Sequence, residues 1–328
     1  MSGEDRLHFV GIARQLPNPA LCFVVLIWGL NFPVIKFVLD EWSPESAMLF
    51  RYLLMMPLIF AIAYLSKQWV SLPTKDWGKA TLAGCLANGA YMVLFMEGMA
   101  RVGAAQGAIL LATAPIWISL FAILAKQEVL RWQLGAGLLI AYAGVATVVL
   151  TGSMSGAAPI AGIALVLASA VVWSISVVMM KPLLNGRPAL GVFSATFPGG
   201  AIVLVPYGLK DLVTMDYSTV SWVGWASMAY LTLMAGVGAF AAYYIAVRDI
   251  GPARTGMAQY FIPVVAAFGA WILRGETILL LQWIGIAVVI GGVALARVVP
   301  GGQHAVEAIT TGSGPAVASE TPHSKPAE

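Results

Sequence analysis

Trp28-Gly29-Leu30-Asn31-Phe32-Pro33-Val34-Ile35-Lys36 has a partial echo 145 positions later, in Trp173-Ser174-Ile175-Ser176-Val177-Val178-Met179-Met180-Lys181. The tryptophan and the lysine match. Further on the offset becomes 148, and six more residues match. Gly103 pairs with Gly251, Ala105 with Ala253 and Pro115 with Pro263. Glu128 pairs with Glu276, Gly137 with Gly285 and Gly144 with Gly292. Chance supplies two such matches in a Gly-rich chain. Eight at two neighbouring offsets mark an internal repeat.

Composition sets the solvent in which this repeat folds. Of 328 residues 60% are hydrophobic and only 10% charged, against roughly 25% charged in soluble domains. So few charges cannot cover a soluble surface of this size. Aromatic residues at 10% exclude a disordered chain. A polytopic membrane protein remains. The net charge of +3 is too small to argue for nucleic acid.

Rare residues exclude several chemistries. His8, His304 and His323 all lie in polar tails. Membrane metalloenzymes and Ser/His proteases need an imidazole inside the fold, so those classes are out. Cys22 and Cys85 sit in apolar runs and form neither a CxxC motif nor a disulfide framework. No Walker motif is present, so ATP does not drive the protein directly. No cofactor is implied.

A helix needs about 20 apolar residues to cross the bilayer. Runs of that order predict ten helices, near 20–39, 45–66, 79–99, 103–125, 132–150, 159–180, 189–209, 221–246, 253–273 and 278–298. The long apolar stretch 132–180 divides at Thr151-Gly152-Ser153-Met154-Ser155-Gly156, a turn composition. The expected organisation is a cytoplasmic segment 1–19, repeat one over 20–151, repeat two over 152–298, and a disordered tail over 299–328. The first span follows a polar lead without a small-x-small cleavage site, so it reads as a helix and not a removed signal peptide. With the N-terminus inside, the cytoplasmic side holds twelve Lys and Arg residues against five outside, omitting distant Lys325. The positive-inside rule then places both termini in the cytoplasm.

Five helices per repeat is an odd number, so the second copy enters the membrane from the opposite side. The predicted fold is an all-α integral membrane protein with a 5+5 inverted-topology repeat, an architecture typical of secondary transporters. Such repeats place a substrate site near the midplane and alternate access by exchanging conformations. Each half closes on the same pattern, Gly103 to Pro115, Glu128 and Gly137 to Gly144, then Gly251 to Pro263, Gly275-Glu276 and Gly285 to Gly292. Together with the Trp28-Gly29 to Lys36 opening, it resembles the paired EamA domain of the drug/metabolite transporter superfamily over about residues 20–298. The resemblance implies a carrier of amino acids, other small metabolites or drugs, often outward. A related small multidrug resistance branch uses a glutamate in its first helix to carry protons. Here that helix has Asn31 and no acid, so that scheme does not transfer.

Candidate site residues follow from what a membrane tolerates. Ionisable groups within spans are expensive and default to function. Glu97 either pairs with Arg101 one turn on or serves substrate or protons, and any proton coupling would fall to it. Arg51 either snorkels to headgroups or clamps a substrate carboxylate. Lys36 and Lys181 read as interfacial anchors. Among neutral residues Trp28, Asn31, Asn88, Tyr91, Trp117, Trp173, Tyr244, Gln259 and Tyr260 are expected to line the cavity, the alternative for each being helix packing. Gly103 and Gly107 are expected to permit close helix contact. Pro115 and Pro263 mark symmetric kinks beside the cavity, and Glu128 and Glu276 favour helix N-termini.

Aromatic rings and neutral amides suit a substrate with an apolar body and a few polar handles. The reading is an inner-membrane exporter of amino-acid-like metabolites, aromatic or hydrophobic amino acids favoured. Its partners are a small molecule, the bilayer and, if coupled, protons, and it works as a monomer or homodimer. One rival is an exporter of hydrophobic cations, with Glu97 holding the charge. A membrane-embedded transferase or a scaffold are rivals of another class. The first lacks clustered acids, and the second does not explain two copies that keep prolines and glycines in register.

Overall fold

The computed structural model describes residues 19–127, 132, 135–137, 139–140, 143–144, 147, 159–243 and 261–297. Seven helices among them are long and apolar enough to cross a membrane. They are α1 (Pro19–Leu39), α2 (Pro44–Leu65), α3 (Thr74–Met99), α4 (Ala104–Leu124), α5 (Ile160–Leu184), α6 (Ala189–Thr214) and α7 (Trp222–Tyr243). Two more apolar helices follow, α8 (Ile262–Arg274) and α9 (Leu280–Arg297). The described residues up to Ala296 belong to one compact unit. Most of the expected helix 132–150, and Glu128, Tyr244, Gln259 and Tyr260, lie outside the described residues.

The repeat is visible in packing as well as in sequence. Gly29 on α1 comes so close to α8 that a Cβ there would lie 3.3 Å from the Ile262 carbonyl oxygen. Its counterpart Ser174 on α5 donates its hydroxyl to the Ala114 carbonyl of α4 at 3.0 Å. These are the same pairing at offsets of 145 and 148. The start of α5 lies against the end of α3, because Gly162 packs on Arg101 and Val102. The end of α1 is held to the same place, since Lys36 Nζ donates to the Met99 and Val102 carbonyls at 2.8 and 3.0 Å. The two Trp-to-Lys helices therefore run in opposite directions. At about 1.5 Å per residue, α5 carries Lys181 to the far end.

Two helices contain π turns that composition does not announce. Cys85–Ala90 lies inside α3 and Tyr230–Gly238 inside α7. Their first residues are again 145 positions apart. π turns insert one residue and often occur at functional sites. The first is pressed backbone-to-backbone on α6. A Cβ on Gly84 would lie 1.9 Å from the Thr196 carbonyl oxygen, and one on Gly199 would lie 2.0 Å from that of Thr81. Lipid gives helices no hydrophobic reason to associate, so such small-residue approach supplies the packing.

The prolines differ from the expectation of kinks. Pro33 lies inside α1, which continues through it. Pro115 and Pro263 each stand in the first turn of a helical segment, Ala114–Leu124 and Ile262–Arg274. There the missing N–H has no intrahelical partner to lose. Pro115 restarts a helix within α4 instead of bending it, and Pro263 opens α8. An unforeseen second restart splits α6 into Ala189–Ala195 and Phe197–Thr214, with Pro198 in the new first turn.

Candidate functional site

Arg51 is the centre of the site. Ser43 starts α2 by accepting the Ser46 N–H at 3.2 Å, and Pro44 follows in the first turn. Arg51 comes two turns later and is only 6% exposed. It is buried in protein, not extended toward headgroups. Its Nε has no hydrogen-bond partner, and no carboxylate pairs with it among the described residues. Its electrostatic neighbour is the Tyr91 phenol, which directly follows the π turn of α3.

Two rows of aromatic rings reach α2, one at Arg51 and one at its chain neighbour Tyr52. In one row Tyr91 contacts Phe95 at 5.7 Å and Trp173 at 5.1 Å, and Phe95 meets Phe32 at 5.9 Å. In the other Trp28 meets Phe240 at 5.2 Å, which stacks on Phe193 at 5.0 Å. Phe193 meets Phe197 at 5.3 Å, and Phe197 stacks on Tyr52 at 5.2 Å. Adjacent residues of α2 thus reach both rows, Tyr52 one and Arg51 the other. The rings come from α1, α2, α3, α5, α6 and α7, hence from both repeats.

Polar bonds fix the rows in place. The Asn88 amide donates to Thr196 Oγ1 at 2.8 Å, and Thr196 donates to the Phe193 carbonyl at 2.6 Å. This link ties the first π turn to the break in α6. Tyr52 donates its hydroxyl to the Phe197 carbonyl at the same break. The Trp28 indole donates to the Ala235 carbonyl inside the second π turn at 3.0 Å. Tyr230 answers by donating to the Ile27 carbonyl at 2.7 Å. Both π turns therefore present backbone and side chain to the helices that carry the site.

Other candidates fall elsewhere. Glu97 is not brought to Arg51. It pairs with Arg101 one turn away, and Tyr207 of α6 donates to it at 2.7 Å. Trp117 stacks on Phe121 along its own helix at 6.4 Å. Asn31 is half-buried, with its Oδ1 buried and unpartnered. Gly103 and Gly107 do not form one sliding stripe, since Gly103 faces Glu276 and Gly107 faces Met99. Glu276 caps not the helix after it but α4, accepting the Ala104 and Ala105 N–H groups at 2.9 and 3.4 Å. Sequence reading missed Tyr52, Phe193, Phe197 and Phe240. Thr196-Phe197-Pro198-Gly199-Gly200 was the available signal, a polar and breaking pentad inside an apolar span.

The chain matches the EamA-like transporter family twice, over residues 18–150 and 160–298. It belongs to that family, and it is a membrane transporter, not an enzyme. A Streptantibioticus cattleyicolor protein named "Probable terminal-alkyne amino-acid exporter" is 30% identical, over 84% of this chain and 91% of its own. The Escherichia coli "Uncharacterized inner membrane transporter YedA" is 27% identical, over 84% of this chain and 89% of its own. One solved crystal structure shares the fold with a TM-score of 0.60, at 18% identity, over 85% of this chain and 95% of that one.

Proposed function

We propose that this transporter exports amino-acid-like metabolites, aromatic or hydrophobic amino acids above all, from the cytoplasm across the inner membrane. Ten helices arranged as a 5+5 inverted repeat carry the substrate by alternating access, with both termini in the cytoplasm. The observation that carries the substrate class is Arg51, a buried guanidinium with a free Nε and no acid to pair with among the described residues, beside the row of rings that begins at Tyr91. A substrate carboxylate supplies the missing partner in bidentate form. Tyr91, Trp173 and Trp28 face the apolar body. The S. cattleyicolor relative, named for an amino acid with an apolar tail, supports the same class.

The test is counterflow in proteoliposomes with an aromatic amino acid and an amphipathic cation as alternative cargoes. Amino-acid counterflow is expected, and Arg51→Gln is expected to lower it about tenfold or more, the worth of a hydrogen bond to a charged group. Arg51→Lys keeps the charge but not the fork, and is expected to recover only part. Counterflow of the cation alone, insensitive to Arg51→Gln, overturns the reading in favour of a drug exporter. Glu97, held from both sides, acts in this reading as a brace. Glu97→Gln should therefore leave any pH-gradient dependence of transport unchanged, and its loss would return Glu97 to the coupling role.

A further inference from the structure

The two repeats differ at the very residues that they share. In the first, the Trp28 indole is bonded to the Ala235 carbonyl and the Lys36 ammonium to the Met99 and Val102 carbonyls. A cation suits the carbonyl end of a helix, so Lys36 draws the end of α1 onto the α3–α4 turn. In the second, the counterparts make no such bond among the described residues. Trp173 meets Tyr91 by its ring alone, and Lys181 is exposed without a partner among the described residues. Lys36 lies at one end of the bundle, on Met99 and Val102, while α5 carries Lys181 to the other.

Around Lys36 the closure is reinforced from the second repeat. Arg274 pairs with Asp40 at 2.5 Å while lying over the Phe37 ring at 4.7 Å. Glu276 caps α4 beside it. At offsets of 145 and 148 the counterparts of Asp40 and Arg274 are Asn185 and Lys126. Both are exposed, and their side chains make no bond among the described residues. An amide cannot form the ion pair that a carboxylate does. The sequence therefore gives one end a latch that the other end lacks.

We propose that Lys36 and Lys181 head two equivalent gates closed in turn, and that the Asp40–Arg274 pair, without an equivalent at Asn185 and Lys126, biases the resting transporter toward closure of the Lys36 end. In the opposite state Lys181 takes up helix-end carbonyls as Lys36 does here, and the Trp173 indole bonds the Ala90 carbonyl, the counterpart of Ala235. With the Lys36 end on the outside, the resting molecule is closed outward and waits for cytoplasmic substrate. The proposal rests on the alternating-access reading above, but its test needs no substrate and so stands apart from the choice of amino acids.

The reporter is Ala104, fully buried behind the Glu276 cap. Ala104→Cys is introduced with Cys22→Ala and Cys85→Ala, and its rate of maleimide labelling follows opening of the Lys36 end. Asp40→Asn is expected to raise the rate roughly 1.5- to 5-fold, the range for loss of a partly exposed ion pair. Asn185→Asp, which gives Lys126 an acid to pair with, is expected to raise it similarly. Adding Lys126→Gln should return it to the starting value. Lys181→Gln weakens closure of the far gate and is expected to lower the rate, which misfolding cannot do. An Asn185→Asp effect that survives Lys126→Gln, or no fall with Lys181→Gln, overturns the proposal.

Discussion

A single methyl group measures how tightly the site is built. Gly84 faces the Thr196 carbonyl so closely that any Cβ must displace backbone, and backbone on both sides belongs to helices with other partners. Overpacking of a flexible side chain costs about 1–3 kcal/mol, and here no side chain can yield. Gly84→Ala is expected to destabilise the protein by at least that much in a thermal-shift assay and to uncouple Asn88 from Thr196. Gly78 lies on the same helix with nothing within 4 Å of its added Cβ. Gly78→Ala is therefore expected to be neutral or to stabilise by about 0.4–1 kcal/mol through the unfolded chain. Equal losses from both substitutions would remove the close approach as the cause. At this scale the sequence was partly legible. Arg51 stood out because a lone charge inside an apolar span has few explanations. The amide–hydroxyl link from Asn88 to Thr196 did not, because its partners are 108 residues apart and nothing local joins them.

Helices were legible where lipid alone dictates them and illegible where one helix meets another. The bounds of α1, α2 and α5 follow from run length, turn residues and the demand that every backbone group be satisfied within the segment. The π turns of α3 and α7 do not follow, since Cys85–Ala90 and Tyr230–Gly238 differ in composition and agree only in position. What selects them is tertiary. Each lies where a neighbouring helix bonds to or presses on the turn, at Thr196 for one and at Trp28 for the other. Glu276 shows the same limit. Its preference for a helix N-terminus was readable, but the helix it caps belongs to the other repeat. Glu276→Ala removes the acceptor from two N–H groups of α4, and the expected loss is about 0.5–2 kcal/mol, as for other N-caps. A matching fall in melting temperature checks it. Glu276→Gln keeps an acceptor and should lose less.

Each repeat buries part of its faces only against the other. Gly29 packs on Val265, Gly98 on Val166, Gly144 on Val289 and Tyr52 on Phe197, each pair joining the first repeat to the second. The polar ties cross in the same way, from Asp40 to Arg274, Trp28 to Ala235 and Asp76 to Arg187. An isolated half would therefore expose small-residue surfaces and carry unsatisfied groups such as the Thr196 hydroxyl face of Asn88 into lipid, where each costs several kcal/mol. Two halves together restore every one of these contacts, because the chain between the repeats, around Thr151-Gly152-Ser153-Met154-Ser155-Gly156, has a turn composition and none of the shared motif. Cutting there leaves the interlocked faces intact and removes only a short tether. Residues 1–158 and 159–328 expressed together are expected to copurify as a monodisperse one-to-one complex that retains counterflow. Either half alone is expected to aggregate in detergent. A single half that is monodisperse and helical by size-exclusion chromatography and circular dichroism would show that the repeats fold as independent domains. The arginine and the two aromatic rows would then be assembled by docking and not by folding.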